Sequence, residues 1–62
     1  MQGEELKATR KALGMSQQQL ADAIGMSRKS VGEMERGDAP IEKRTGMAVE
    51  LLVVRLRQPQ QA

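Results

Sequence analysis

The chain has 62 residues, a length typical of one small domain, and it contains no cysteine and no histidine. Disulfides, thiolate catalysis and metal sites built from Cys or His are thereby excluded, and we expect neither a metal nor a cofactor. Ten basic and eight acidic residues give a formal net charge of +2, and the absence of Phe, Trp and Tyr disfavours single-stranded nucleic acids, whose binders commonly stack bases on aromatic rings.

The short length also bears on assembly and location. A domain of about 60 residues buries only about 60% of the surface that its unfolded chain exposes, so a homodimer is the expected source of further burial. No segment approaches the roughly 20 apolar residues that span a bilayer, and the acidic stretch 1–5 does not resemble a signal peptide. We therefore expect a cytoplasmic protein without membrane contact.

The first predicted helix covers residues 3–13. Two glutamates lie in its first turn, where the helix dipole favours negative charge, and Gly14 ends it. Leu6 and Leu13 are two turns apart, so both are expected to face the core.

Two short helices are predicted next, over residues 17–24 and 28–36. Each follows a serine, Ser16 or Ser27, whose hydroxyl can cap the helix N-terminus, and Gln19 completes a capping box with Ser16. Gly25 ends the first of the two with positive φ and makes the turn tight. The apolar positions lie on the inner faces of both helices: Leu20, Ile24, Met26, Val31 and Met34. This pattern is typical of a helix-turn-helix.

The fourth predicted helix covers residues 41–56, after a short connection that contains Pro40. Its apolar residues form an unusually broad stripe. Beside the expected core positions Ile41, Thr45, Ala48 and Leu52, one flank carries Val49, Val53 and Leu56, and the other carries Met47, Leu51 and Val54. The stretch 58–62 lacks apolar periodicity and is expected to be a disordered tail, so the predicted domain is 1–57.

The run from Leu6 to Gly37, about half of the chain, resembles the DNA-binding domain of the phage Cro and lambdoid repressor family, of the xenobiotic-response-element type. The matching elements are Gly14 before a Ser-Gln helix start, the Leu20-Ala21 pair, Gly25-Met26-Ser27, Val31, and the ending Met34-Glu35-Arg36-Gly37. The resemblance implies an all-α, compact four-helix domain with a lambda-repressor-like fold. It also implies that helix three enters the major groove of DNA while helix two lies across the backbone.

Candidate base contacts lie on the polar face of helix three. Arg28 and Lys29 can donate to guanine O6 and N7, and the unfavourable position of two cations at a helix N-terminus favours a functional role for them. Glu33 can accept from cytosine N4 or pair with Lys29 four residues earlier; both interpretations stay open. Gly32 either permits a close approach to the groove or is simply tolerated.

Candidate phosphate contacts surround the starts of helices two and three, because helix N-termini bind anions. Gln17 is the strongest of them, since its side chain has no evident structural role. The others are Ser16, Ser27, Ser30 and Arg36; capping alone could explain Ser16, and the neighbouring Asp38 weakens the case for Arg36.

Two further expectations come from the resemblance. Arg10 and Glu35 lie where family members hold a buried ion pair, so we expect a structural pair here. Many relatives dimerise through a fifth helix, and we expect helix four to take its place. The interface residues are predicted among Val49, Val53, Val54 and Leu56, with either flank of helix four possible.

The predicted function is that of a sequence-specific regulator of transcription that binds double-stranded DNA, acting as a repressor and homodimer on a near-palindromic operator. One alternative is an antitoxin that grips a toxin and autoregulates its operon. Another is a protein-interaction adaptor that has lost DNA binding, which the presence of Gln17, Arg28 and Lys29 disfavours. Catalysis is not expected, because the carboxylate pairs have no plausible cleft, base or metal partner.

Overall fold

The computed structural model describes residues 1–57, and these residues form helices without any strand. The helices are α1 (Gly3–Ala12), α2 (Gln17–Ile24), α3 (Arg28–Arg36) and α4 (Lys43–Arg57). The predicted all-α architecture is thus confirmed, and α2 and α3 have the predicted bounds. The disordered tail predicted for 58–62 lies outside the described residues.

Side-chain caps start the two central helices. Ser16 Oγ accepts a hydrogen bond from the Gln19 backbone N–H (3.1 Å), and Gln19 Oε1 accepts one from the Ser16 N–H (2.8 Å). At α3, Ser27 Oγ accepts from the Ser30 N–H (3.1 Å). Gly25 closes α2 with φ +73°, a left-handed conformation that only glycine adopts readily. The local sequence therefore specifies both helix starts and the turn between them.

The ends of α1 and α4 differ slightly from the prediction. Helix α1 stops at Ala12, and Leu13 follows as its half-buried C-cap residue. Helix α4 begins at Lys43 rather than at residue 41, and its early Gly46 N–H donates to the Glu42 carbonyl (2.9 Å). Ile41 packs against the core while it is still in the irregular connection, so tertiary contact rather than helical periodicity explains its apolar character.

The core lies where α1, α2, α3 and α4 meet. Its fully or almost fully buried apolar side chains are Leu6, Leu20, Ala21, Val31, Met34 and Val49, and Met15, Ile24, Met26, Ala39, Ile41 and Leu52 pack around them. The apolar residues predicted to line the inner faces of α2 and α3 are therefore confirmed as core. Helix α4 contributes through Val49 and the buried Thr45.

Part of one predicted interface flank of α4 is occupied within the domain. Val49, predicted at the dimer interface, is completely buried within the domain, so that part of the prediction is wrong. Val53 is half-buried and lines a groove against Thr9 and Leu13 beside α1. Val49 is buried because the side of α4 that faces the other helices most directly is centred near Val49 and not on Ala48.

The start of α1 packs directly on the end of α3. A Cβ atom at Gly3 would overlap the Met34 carbonyl oxygen and would lie 2.7 Å from that of Glu35. Only glycine fits at such a distance, which the sequence pattern did not indicate. This contact fixes α1 relative to the C-terminal end of α3.

No helix within residues 1–57 is long and apolar enough to cross a membrane.

Candidate nucleic-acid interface

The outer face of α3 carries a cluster of cations. Val31 and Met34 point into the core, whereas Arg28, Lys29 and Arg36 are exposed to solvent on the other side of the helix. With Gln17 from the start of α2, these cations line a cleft whose floor is Gly32. We call this group of five residues the basic cleft. A concave surface with three positive charges is suited to a polyanion.

Gly32 occupies the floor of the basic cleft and is buried. An added Cβ would lie 3.2 Å from Arg36 Nη1 and within 4 Å of the Gln17 amide group. In the free protein, the lack of a side chain at Gly32 leaves room for Gln17 and Arg36 to lie over the middle of α3. The base contact predicted for Gly32 stays a prediction.

Arg36 is held by an acidic neighbour. Its Nε donates to Asp38 Oδ2 (3.0 Å), and both side chains are exposed. Such an exposed pair contributes little to stability, so Arg36 can leave Asp38 for another anion at small energetic cost. A phosphate contact by Arg36 stays a prediction, and such a contact would compete with the Arg36–Asp38 pair.

Glu33 lies half-buried at the edge of the same face. No ion pair joins it to Lys29 within the part of the chain that the structure describes. Of the two interpretations of Glu33, pairing with Lys29 is therefore not seen, and contact with a cytosine amino group stays a prediction.

The predicted serine contacts all have structural bonds in the free protein. Ser16 and Ser27 use their hydroxyl oxygens as caps, and Ser27 Oγ also donates to Ser30 Oγ (3.0 Å). The hydroxyl hydrogen of Ser16 and the free N–H groups of the first turn of α2 can still donate to phosphate. Phosphate contacts by Ser16, Ser27 and Ser30 stay predictions.

An ion pair supports the basic cleft from behind. Arg10 Nε donates to Glu35 Oε2 (2.6 Å) and Nη2 donates to Oε1 (3.1 Å), with side-chain exposures of 11% and 4%. This is the pair that the family resemblance predicts. Arg10 Nη1 also donates to the Met15 carbonyl (2.9 Å), immediately before the Ser16 cap. One guanidinium thus connects α1, the start of α2 and the end of α3.

Gln17 belongs to the same network. Its Nε2 donates to Glu35 Oε1 (3.1 Å), so the view that Gln17 has no structural role is wrong. The bond orients the amide group over Gly32, and within residues 1–57 neither the carbonyl oxygen nor the second N–H of this amide has a protein partner. We call Arg10, Glu35 and Gln17 the support network.

The network keeps Glu35 ionised. Burial raises the pKa of the carboxyl group, but the hydrogen bonds from Arg10 and Gln17, together with the charges of Arg10 and Lys7, outweigh burial and lower the pKa below its ordinary value of 4.5. The hydrogen bond to Glu35 in turn raises the pKa of the Arg10 guanidinium. Both groups are therefore charged at neutral pH, as a stable ion pair requires.

Lys7 is a cation that sequence reasoning missed. Gly3, Lys7 and Arg10 are spaced at i, i+4 and i+7, so they share one face of α1. The two outer residues of that series both approach Glu35, Gly3 through the backbone and Arg10 through the side chain. Lys7, which is exposed, therefore lies at the edge of α1 next to the end of α3. The helical spacing of Lys7 and Arg10 could have indicated it.

Comparison with known proteins gives one match. The family model described as helix-turn-helix matches residues 6–50, well over half of the chain. No curated protein and no solved structure matches the chain.

Proposed function

The chain belongs to the Cro-type helix-turn-helix family of DNA-binding regulators, and on that basis we propose that it is a transcriptional repressor. It binds duplex DNA as a homodimer on a near-palindromic operator. In this arrangement α3 enters the major groove, and α2 lies across the sugar-phosphate backbone.

The basic cleft is the observation that carries this proposal. Arg28 and Lys29 occupy the first turn of α3, where two positive charges oppose the helix dipole and contribute nothing to folding that the structure reveals. The position is nevertheless the one from which a recognition helix reaches base edges. Base contacts by these two residues account for cations at a site that otherwise disfavours them.

The same geometry explains how the two central helices act together. Gln17 lies at the α2 edge of the cleft and reaches Glu35 at the end of α3. A phosphate bound at the start of α2 therefore sits at a fixed offset from the base-contacting residues of α3. Repression follows by occlusion, because a dimer bound across an operator excludes other proteins from it, and its affinity falls as salt rises through release of counterions.

The first test removes the two cations of the α3 first turn. We expect the double variant Arg28→Ala, Lys29→Ala to bind duplex DNA at least tenfold more weakly, at about 1–3 kcal/mol per base contact. Binding is measured by fluorescence anisotropy at two salt concentrations, on sequences selected by the wild-type protein from a random duplex library. Removal of the two cations eliminates their unfavourable interaction with the positive end of the α3 dipole. The unfolding free energy should therefore stay the same or rise slightly.

A charge-matched control separates base contact from general attraction. The double variant Lys11→Ala, Arg55→Ala loses the same net charge from exposed positions outside the basic cleft. It should lose much less affinity and keep its sequence preference. Equal losses in the two double variants, or an unchanged affinity after removal of Arg28 and Lys29, would contradict the proposed role of α3.

A further inference from the structure

Helix α4 is apolar on two opposite sides. Thr45 and Val49 face the core, while Met47, Leu51 and Val54 are 60%, 58% and 48% exposed. At about 100° per residue, the exposed three centre on a direction nearly opposite to the buried two. We call Met47, Leu51 and Val54 the α4 seam.

The seam has the spacing of a helix-pairing surface. Its residues follow one another at intervals of four and three, as the d, a and d positions of a heptad do. Continued backwards, the same pattern places Arg44 at the preceding a position, and it places Glu50 and Arg57 at g positions. Arg44, Ala48 and Glu50 join the seam residues in lining a shallow groove. An apolar strip with this spacing can pack against a second helix that has the same spacing.

We propose that the α4 seam pairs with the α4 seam of a second copy of this chain, in an antiparallel arrangement about a two-fold axis. The inference deepens the proposed function, since it rests on the homodimer and names the surface that forms it. A second copy supplies a helix with the matching repeat, and the two-fold axis makes the same side chains meet from both sides.

Charge selects the orientation. In a parallel pair, Arg44 would face the Arg44 of the second copy within the seam, where like charges repel. In an antiparallel pair with Leu51 opposite Met47, the Glu50 residues of both copies would face each other. When Leu51 lies opposite Val54, however, Glu50 of each copy lies across from Arg57 of the other. Only the last of these registers pairs opposite charges at the g positions; it places Leu51 and Val54 of both copies at the centre of the contact and Met47 towards its edge.

The size of the seam sets the expected strength. Three large apolar side chains per copy fall well short of the roughly 800 Å² per partner of a standard interface. The free dimer should therefore be weak, and two half-sites on one DNA duplex would strengthen it by raising the effective concentration. Leu56, which is 56% exposed, lies on the core side of α4 and not in the seam. The proposed interface therefore contains Met47 and Leu51 and does not contain Leu56.

A charge exchange tests the register. The full chain and the variants Glu50→Arg, Arg57→Glu and their combination are compared by sedimentation equilibrium, with circular dichroism as a check of folding. Each single variant places like charges across the two-fold axis and should weaken dimerisation at least about tenfold. The combination restores opposite charges and should recover wild-type association. A double variant no tighter than the single ones would overturn the proposed register.

A second pair of variants tests the seam itself. Leu51→Glu should abolish the dimer, and the matched variant Leu56→Glu, at an equally exposed leucine of the same helix, should leave it unchanged. A wild-type chain that stays monomeric up to millimolar concentration, or equal effects of both variants, would overturn the inference.

The two proposals can fail separately. Binding of each variant to a duplex with one half-site depends on the basic cleft and not on the seam. If the seam variants leave self-association unchanged while the wild-type chain binds DNA, only the seam is wrong. If removal of Arg28 and Lys29 leaves DNA binding unchanged, the proposed function fails while the self-association result stands.

Discussion

Individual residues of the candidate interface have structural roles as well as prospective contacts with DNA. Gln17 donates to Glu35, Ser27 caps α3, and Arg36 lies against both Gly32 and Asp38. A contact with DNA made by Gln17 requires little reorganisation, because its amide group is already oriented by Glu35. Single substitutions at these positions would change folding and binding together. Residues without internal bonds are therefore the better probes of DNA contact.

Lys7, whose exposed side chain lies at the edge of α1 next to the end of α3, offers such a test. We expect Lys7→Ala to weaken DNA binding about equally on all sequences and to reduce the slope of log affinity against log salt by about 0.9, as for the loss of one phosphate contact. The measurement is a salt titration by fluorescence anisotropy.

Lys11→Ala is the control for this change, because it removes the same charge from the same helix at a position turned further from α3. Its slope should change less. An unchanged slope for Lys7→Ala would show that Lys7 does not reach the DNA backbone.

At the scale of the elements, the support network determines how the helices are held together. Arg10 joins the end of α1 to Met15, the residue before the α2 cap, and Glu35 accepts hydrogen bonds from both Arg10 and Gln17 at the end of α3. Gly3 adds a backbone contact between α1 and α3. The relative positions of the recognition helix and of the helix that crosses the backbone thus depend on one buried carboxylate.

Acid titration should reveal this dependence. The pKa of Glu35 is lower in the folded than in the unfolded chain, so the unfolded state binds more protons between the two pKa values. The stabilisation is complete above about 4.5, the ordinary pKa, and is lost as pH falls through the lower folded-state pKa. Urea unfolding across this range should show stability decreasing towards low pH.

Variants of the Arg10–Glu35 pair show whether the acid dependence comes from this pair. Glu35→Gln leaves the Arg10 charge buried without its partner and should reduce the unfolding free energy by about 3 kcal/mol or more. The double variant Arg10→Met, Glu35→Met removes both charges and should recover much of that loss while showing a shallower acid dependence. A double variant with the same acid dependence as the wild type would assign that dependence to other carboxyl groups.

The whole molecule has a small core and an exposed apolar seam. Within residues 1–57, the buried apolar side chains come from one position each in α1 and α4 and from two positions each in α2 and α3. A chain of this size is marginally stable by itself. Any partner that binds the folded state alone should therefore raise its stability by a measurable amount.

Thermal melting should show this linkage in two ways. The Tm of the full chain should rise with protein concentration, because dilution dissociates the dimer. Duplex DNA should raise the Tm further, since DNA at one hundred times the Kd adds about 2.7 kcal/mol to the free energy of unfolding. The Tm is measured by circular dichroism. The double variant Arg28→Ala, Lys29→Ala should keep the concentration dependence of the Tm and lose most of the increase caused by DNA. A wild-type Tm that changes with neither protein concentration nor added DNA would contradict both dimerisation and DNA binding.

The local features follow from the amino-acid sequence alone. Helix starts at Ser16 and Ser27, the turn at Gly25 and the inward apolar faces of α2 and α3 were all predicted, because each depends on residues within a few positions of one another. The Arg10–Glu35 pair was predicted only through resemblance to a family, since its members are far apart in the chain. These features were enough to identify the helix-turn-helix.

The remaining features depend on how the helices pack against one another. Whether Val49 or Leu51 faces the core depends on the rotation of α4 about its axis, and an apolar stripe this broad is compatible with more than one rotation. The burial of Gly32 beneath Gln17 and Arg36, the close approach of Gly3 to α3 and the position of Lys7 likewise arise from packing between helices. Periodicity fixes which residues share a face of a helix, but the contacts that the face makes depend on where the other helices lie.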